Sequence, residues 1–117
     1  MPTKLPVIQC CVPIARATLS EAEAAGLERL FRVLGDRHRV KIVNLLARAA
    51  EPVCVCDLVP ALGLAQPTVS YHLKQLAEVG LVERERRGTF AFYRLPPDAL
   101  DRLRTVLVEP PDLAQAV

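Results

Sequence analysis

The side chains most able to carry out chemistry are four cysteines arranged as two close pairs. Cys10 and Cys11 are adjacent, and Cys54 and Cys56 are one residue apart in the segment EPVCVCDLVPAL. Thiolates are soft ligands, so the set favours arsenic, antimony, cadmium, lead, mercury or zinc over magnesium or calcium. In a reducing cytosol, we expect such thiols to bind metal, undergo redox chemistry or pack in a core rather than form stable disulfides.

The position of the second thiol pair decides whether both sulfurs can meet one ion. Residues two apart on a helix point in nearly opposite directions, whereas in an extended segment they point the same way. Because proline fits the first helical turn better than the interior, Pro60 predicts that Cys54 and Cys56 lie at or just before a helix start. The positive end of a helix also favours the thiolate form.

Length and composition indicate one small cytoplasmic domain. The chain has 117 residues, of which 51% are hydrophobic, and a formal net charge of +2. No apolar run is long enough to span a bilayer, and prolines at positions 2, 6 and 13 interrupt the stretch that a signal peptide would need. The low net charge means that any nucleic-acid-binding patch must come from uneven placement of basic residues.

The pattern predicts a mainly α fold with a β-hairpin, flanked by short terminal segments. Residues 1–18 read as a cysteine-bearing arm, 19–108 as the domain and 109–117 as a tail. Ser20 with Glu23 matches a capping box, and Asp36 is a second N-cap candidate. Positions at core spacing are Leu27, Leu30, Phe31 and Leu34 in the first helix, Val40, Val43, Leu46 and Ala47 in the second, and Val69, Leu73 and Leu76 after Pro67.

Two of these helices form a helix-turn-helix candidate. A short helix after Cys56 ends near Gly63, and the helix QPTVSYHLKQLAEVG follows within a few residues. The second helix of such a motif enters the major groove of DNA, where Gln, Ser, Thr and Lys side chains can contact base edges or phosphates. The predicted DNA-facing residues are Gln66, Thr68, Ser70, Tyr71, His72 and Lys74.

The segment LVERERRGTFAFYRL predicts the hairpin, which would act as a wing beside that helix. Arg84, Arg86 and Arg87 near its tip are suited to grip phosphates. Apolar stripes on the first and last helices predict a surface that seeks a second subunit, although the same stripes could close on their own domain.

The run LFRVLGDRHRVKIVNLL followed by VCVCDLVPALGLAQPTVSYHLKQLAEVGLVERERRGTFAFYRL resembles the ArsR/SmtB family of winged-helix repressors, particularly its arsenic-responsive branch. The resemblance covers roughly residues 27–95. It implies a homodimer that binds operator double-stranded DNA until a thiophilic ion releases it. It implies no catalysis and no catalytic cofactor.

The resemblance also narrows the effector to arsenite or antimonite, bound by thiolates. Many arsenic-responsive members carry a further cysteine three residues after the second of the pair, where this chain has Val59. The resemblance therefore implies that Cys10 or Cys11 completes a site with Cys54 and Cys56. The zinc site that some members have on the last helix needs histidine, which DALDRLRTVL lacks.

Two alternatives remain open from the sequence. A cadmium- and lead-sensing branch of the same family also joins N-terminal cysteines to a CVC segment, using up to four thiolates. A thiol redox sensor on the same fold would respond to peroxide without any ion. A thioredoxin-like enzyme is disfavoured, since CVC lacks the CxxC spacing.

Overall fold

The structure, a computed structural model, describes residues 19–107, apart from the side chain of Thr105. The predicted arm at 1–18 and tail at 109–117 lie outside these residues. The described elements follow in the order α1 (Glu21–Leu34), α2 (Arg37–Arg48), β1 (Val53–Cys54), α3 (Val55–Leu62), α4 (Gln66–Glu78), β2 (Glu83–Arg87), β3 (Phe90–Arg94) and α5 (Asp101–Leu107).

The first two helices begin at the caps that the sequence predicts. The Ser20 amide donates to Glu23 Oε1 at 2.8 Å, and the Glu23 amide donates to Ser20 Oγ at 3.0 Å, which completes a capping box. Asp36 Oδ1 accepts from the backbone amides of His38 at 2.8 Å and Arg39 at 3.3 Å. These bonds satisfy amides that have no partner within the helix, and they fix where α2 starts.

The buried face of α2 differs from the predicted one. Ile42 and Leu46 are buried, and Val43 is partly buried, but Val40 is 49% exposed. Ala47 is exposed as well, so the predictions for Val40 and Ala47 are wrong. With the helix starting at Arg37, the inward stripe consists of Arg39, Ile42 and Leu46, which stand at i, i+3 and i+7.

Helices α3 and α4 form the predicted helix-turn-helix. Gly63 adopts φ 69°, a left-handed conformation that lets the chain turn out of α3, and α4 begins three residues later. Val69, Leu73 and Leu76 are buried as predicted. At the far end of α4, Gly80 has φ 80° and the Leu81 amide donates to the Leu76 carbonyl at 3.0 Å.

The hairpin belongs to a three-stranded antiparallel sheet with the order β1-β3-β2. The sequence predicts β2 and β3 but not β1, which is only two residues long. Val53 pairs with Tyr93 and Cys54 pairs with Phe92. The strand β1 therefore ties the thiol segment directly to the wing.

The core is formed by side chains from α1, α2, α3 and α4, from the segment before β2 and from the turn before α5. The buried cluster comprises Leu30, Ile42, Leu46, Leu58, Val69, Leu73, Leu76, Leu81, Val82 and Ala99. No helix among the described residues is long and apolar enough to cross a membrane.

Helices α1 and α5 leave apolar surface uncovered. Phe31 on α1 and Leu107 on α5 are exposed, although Phe31 stands at a core-spaced position in the sequence. A groove of about 330 Å³ between the two helices is lined largely by apolar side chains, among them Leu19, Leu27 and Val106.

We expect Leu73→Ala to lower the free energy of unfolding by about 2–5 kcal/mol, because Leu73 is fully buried where α4 meets the core. Urea denaturation followed by circular dichroism measures this change. The neighbouring substitution Lys74→Ala, at an exposed position, should change stability by less than about 0.5 kcal/mol. A similar loss for both variants would contradict the packing described for α4.

Candidate nucleic-acid interface and thiol pair

The outer face of α4 presents most of the predicted DNA-facing side chains. Because Val69, Leu73 and Leu76 hold one face of this helix against the core, the opposite face is directed to solvent. Tyr71 is the largest exposed group, at 54% exposure. The other exposed members of the predicted set are Gln66, Thr68, Ser70 and Lys74.

His72 departs from that prediction. Its side chain is only 7% exposed and lies on the buried stripe of α4, between Val69 and Leu76. The His72 Nδ1 atom accepts a hydrogen bond from Arg39 Nε at 3.0 Å. His72 therefore faces the protein interior rather than a DNA groove, because its helical position places it one turn from Val69 on the same side.

Arg39 is a functional candidate that the prediction of DNA-facing residues missed. Besides its bond to His72, its Nη1 donates to the Val33 carbonyl at 3.2 Å, and its guanidinium carbon lies 5.7 Å from the centroid of the Tyr71 ring. One side chain on α2 thus links α1 to α4. The sequence does contain a signal for this contact. Ile42 and Leu46 follow Arg39 by three and seven residues, and this spacing places Arg39 on the same face of α2 as these two buried side chains.

A small polar cluster surrounds this link. The rings of His38 and His72 have centroids 5.8 Å apart, and the buried Nδ1 of His38 has no hydrogen-bond partner among the described residues. Burial lowers the pKa of His72; Arg39 and His38 lower it further, and Asp36 opposes them. Burial would raise the pKa of Asp36, but the amides of His38 and Arg39, together with the charges of His72 and Arg39, hold it below its usual value.

The wing has two different faces. Along β2, Arg84 and Arg86 alternate with Glu83, Glu85 and Arg87. Arg87 donates to Glu85 Oε2 at 2.9 Å, and its guanidinium carbon lies 4.8 Å from the centroid of the Phe92 ring. Arg84 and Arg86 therefore point to one side of the sheet and Arg87 to the other, which separates the three predicted phosphate-binding residues.

A groove of about 390 Å³ lies between α4 and the wing. We call it the wing groove, and we define it by five of its lining side chains: Cys56 at the start of α3, Gln66 and Ser70 on α4, and Arg84 and Arg86 on β2. Two guanidinium groups, an amide and a hydroxyl thus meet in one concave surface, which suits an anionic, hydrogen-bonding partner.

The second thiol pair lies at the start of α3, as the sequence predicts. Cys54 is the extended N-cap residue and its Sγ accepts from the Cys56 amide at 3.2 Å. Cys54 is 4% exposed, whereas Cys56 is exposed. The prediction that Pro60 occupies the first turn of this helix is wrong, however, because Pro60 lies inside α3.

The structure joins Cys54 and Cys56 in a disulfide, with their Cα atoms 5.1 Å apart. This differs from the expectation that these cysteines bind metal, undergo redox chemistry or pack rather than form a stable disulfide. The extended conformation of Cys54 brings both sulfurs to the same side, which lets them bond to each other or, after reduction, face a common ligand.

Among residues 19–107, no group of three or more histidine, cysteine or acidic side chains lies close enough to hold a metal ion. The described part of the chain therefore supplies two sulfurs to any thiophilic ligand. Cys10 and Cys11, which complete the predicted site, lie outside the described residues.

In the reduced protein, we expect iodoacetamide to modify Cys56 about tenfold faster than Cys54, because Cys56 is exposed and Cys54 is buried. Mass spectrometry of the peptide that carries both residues, sampled over time, measures the two rates. In a Cys56→Ser variant, the same peptide should be modified only at the slow rate. Equal rates for the two cysteines would contradict the placement of Cys54 in the interior.

Comparison with known proteins places these features in a family. The model of the bacterial regulatory protein arsR family matches residues 36–84, from the cap of α2 to the start of the wing. The arsenic resistance transcriptional regulator ArsR1 of Pseudomonas putida is 44% identical over 69 residues, which cover 59% of this chain. The match spans only 53% of that relative's length.

Two further relatives are matched over more of their own length. The arsenical resistance operon repressor of Bacillus subtilis is 34% identical over 65% of this chain and 71% of the relative. The cadmium resistance transcriptional regulatory protein CadC of Listeria innocua is 30% identical over 68% of this chain and 66% of the relative.

The solved structures support the fold. The homodimeric winged helix-turn-helix DNA-binding domain of a possible ArsR-family regulator from Mycobacterium bovis is 29% identical, with a TM-score of 0.62 over 86% of this chain and 90% of that one. The predicted winged helix-turn-helix fold is confirmed, and so is the prediction that the protein is not an enzyme. The chain belongs to the arsR family of bacterial regulatory proteins.

Proposed function

We propose that this protein is a transcriptional repressor that binds operator DNA as a homodimer and is released when arsenite or antimonite binds its cysteine thiolates. The observation that carries the proposal is the position of Cys56 in the wing groove, beside Gln66, Ser70, Arg84 and Arg86. A thiol that can bind a metalloid thus lies next to side chains suited to DNA.

The DNA-binding part rests on α4 and the wing. A helix in the major groove reads base edges with its exposed side chains, and the wing adds phosphate contacts. Gln66 can bond adenine bidentately, while Lys74 can reach guanine or phosphate. Thr68, Ser70 and Tyr71 complete the exposed face of α4. This role would place the protein in the cytoplasm, where bacterial promoters are found.

The dimer rests on the apolar surface of α1 and α5. Phe31, Val106 and Leu107 are exposed, and the groove between the helices is mainly apolar. Burying such surface is the usual driving force for association. A twofold dimer would present two copies of α4 to two half-sites of an operator.

The effector part rests on the thiols. Reduction of the Cys54–Cys56 disulfide supplies two sulfurs at a helix N-terminus, where partial positive charge favours thiolates. Trivalent arsenic takes three sulfurs in the related arsenic sensors that the sequence resembles, so one further thiolate must come from Cys10 or Cys11. Cysteine supplies the soft ligands that such an ion requires.

Release follows from linkage between the two ligands. An effector that binds the DNA-free form more tightly than the DNA-bound form lowers DNA affinity by the same factor. Moving the protein from 99% bound to 99% free requires about 5.5 kcal/mol of differential affinity. Closing the cysteine-bearing arm over Cys56 would block the wing groove. DNA would then lose its contacts with Arg84 and Arg86, and this loss would supply the difference in affinity.

Cadmium or lead is the alternative effector. Two observations support this alternative. The chain is similar to the cadmium regulator CadC, and it has both a CVC segment and N-terminal cysteines. Such an ion would use Cys10, Cys11, Cys54 and Cys56 together.

Redox sensing is a second candidate function, favoured by the Cys54–Cys56 disulfide. Two thiols would pass two electrons and two protons to hydrogen peroxide, forming the disulfide and two molecules of water. This reaction needs no ion and no third cysteine. DNA release by peroxide in a Cys10→Ser/Cys11→Ser variant, with no response to arsenite in the unmodified protein, would favour it.

We expect Arg86→Ala to weaken operator binding and to lower the slope of log affinity against log salt by about one, because one phosphate contact is lost. Fluorescence anisotropy on DNA from the protein's own promoter, repeated at several salt concentrations, measures both quantities. Arg87→Ala is the matched comparison, since Arg87 points away from the wing groove. Equal slope changes in the two variants would contradict the assignment of phosphate binding to the groove side.

We expect arsenite or antimonite to release the reduced protein from the same DNA, and Cys56→Ser or Cys10→Ser/Cys11→Ser to abolish that release. Binding without effector should persist in each variant. Cadmium, lead and zinc are tested in parallel. Release by cadmium and lead alone would support the four-thiolate alternative, and release by no ion would refute metalloid sensing.

A gain-of-function variant separates loss of the arm thiols from damage to the protein. Positions 56 and 59 are neighbours on one helix face, so Val59→Cys adds a thiol beside Cys56. Placed in the Cys10→Ser/Cys11→Ser background, it should restore release by arsenite. Failure of this variant to respond, while the unmodified protein responds, would show that the arm contributes more than a third sulfur.

A further inference from the structure

The link between Arg39 and His72 is not used by the proposed release mechanism, yet it joins three helices. Arg39 on α2 donates to the Val33 carbonyl on α1 and to His72 Nδ1 on α4, and its guanidinium group approaches the Tyr71 ring. Tyr71 is exposed and adjacent in sequence to the buried His72. This partly buried hydrogen bond therefore fixes the rotation of α4 next to an exposed side chain that faces DNA.

We propose that Arg39 and His72 form a positioning pair that holds α4 in the orientation needed to read the operator, and that protonation of His72 breaks this pair. The inference rests on the proposed DNA-binding function and adds a regulatory property to it. His72 acts through the helix and does not itself contact DNA.

The chemistry of the bond makes it sensitive to a proton. The Arg39 guanidinium group can only donate, so His72 Nδ1 must be the unprotonated nitrogen of a neutral ring. Protonation converts Nδ1 into a second donor and places an imidazolium beside a guanidinium group. The bond is then lost and replaced by repulsion.

Among residues 19–107, the charged and titratable groups that face His72 are Asp36 at the cap of α2, His38 and Arg39 on α2, and Tyr71 on α4. Helix α1 contributes no such group, only the Val33 carbonyl that accepts from Arg39. The charge of Asp36 favours protonation, whereas burial and the charges of Arg39 and His38 oppose it. The unfolded chain therefore binds the proton more readily than the native protein does. The pair contributes its full stabilisation of the native state above pH 6.5, and this stabilisation falls as the pH decreases.

The direction of the pH effect distinguishes this role from direct DNA contact. Protonating a histidine adds positive charge, which by itself strengthens binding to phosphates. If His72 touched DNA, as the sequence pattern suggests, operator affinity would rise at acidic pH. A positioning pair predicts the opposite, because the geometry of α4 is lost while the net charge increases.

The test measures operator and scrambled-DNA affinities by fluorescence anisotropy between pH 5.5 and 8 for the reduced, effector-free protein. We expect operator affinity to fall by about tenfold at the acidic end, the size of one lost hydrogen bond to a charged group, while scrambled DNA binds no more weakly. His72→Asn places an acceptor near the position of Nδ1 and cannot titrate. Its operator affinity should match the unmodified protein at pH 8 and show no such fall.

Two further variants complete the design. His72→Leu fills the buried site without an acceptor and should bind the operator weakly at every pH, with circular dichroism confirming that it is folded. His38→Asn removes the only other histidine of the chain and should retain the pH dependence. A long-range proton–nitrogen correlation spectrum of histidine-labelled protein should show His72 Nδ1 unprotonated at neutral pH, a result that requires no DNA.

Several outcomes would overturn the positioning pair. They are a protonated Nδ1 at neutral pH, operator affinity that rises at acidic pH, a pH dependence that survives in His72→Asn, and unmodified affinity in His72→Leu. Operator binding that is independent of pH would overturn this inference alone. Absence of operator binding at every pH would overturn the proposed function as well.

Discussion

The burial of one face of α4 is the constraint on which the remaining arrangement depends. Val69, Leu73 and Leu76 are removed from water against α1, α2 and the segment before β2, and this packing sets which face of the helix points inward. Fully burying side chains of this size contributes about 1.5–3 kcal/mol each. Once that face is fixed, the 3.6-residue period determines which side chains reach the surface. The exposed row of polar residues is therefore a consequence of core packing rather than a separate feature.

Much of the architecture could be predicted because its signals are local. The capping box at Ser20, the cap at Asp36 and the turn at Gly63 depend on neighbouring backbone groups, and short-range sequence encodes such contacts directly. The apolar period of α4 gave its buried face correctly. The wing followed from alternation on both sides of a glycine-containing turn.

The features that were missed depend on contacts between distant segments. The strand β1 is two residues long and exists because β3 offers it a partner, so no local pattern indicates it. His72 was placed on the DNA side because of its residue type, although its spacing from Val69 already put it on the buried stripe. The sequence could not show that Arg39, on another helix, donates a hydrogen bond to the buried imidazole of His72. The pairing of Cys54 with Cys56 likewise depends on a backbone conformation and not on spacing alone.

The helix α4 is held from two sides by groups with different chemistry. Next to its N-terminal turns, the wing groove brings Gln66 and Ser70 together with Cys56 and the arginines of β2. Farther along the helix, Arg39 ties His72 to α1 and approaches Tyr71. Because β1 joins the thiol segment to β3, a change at Cys54 or Cys56 would reach the wing through the pairing of these two strands. A change at His72 instead acts on α4 itself, through the bond to Arg39 on α2. Thiol chemistry and proton binding would therefore bias the same DNA-reading surface by separate routes, and neither requires the other.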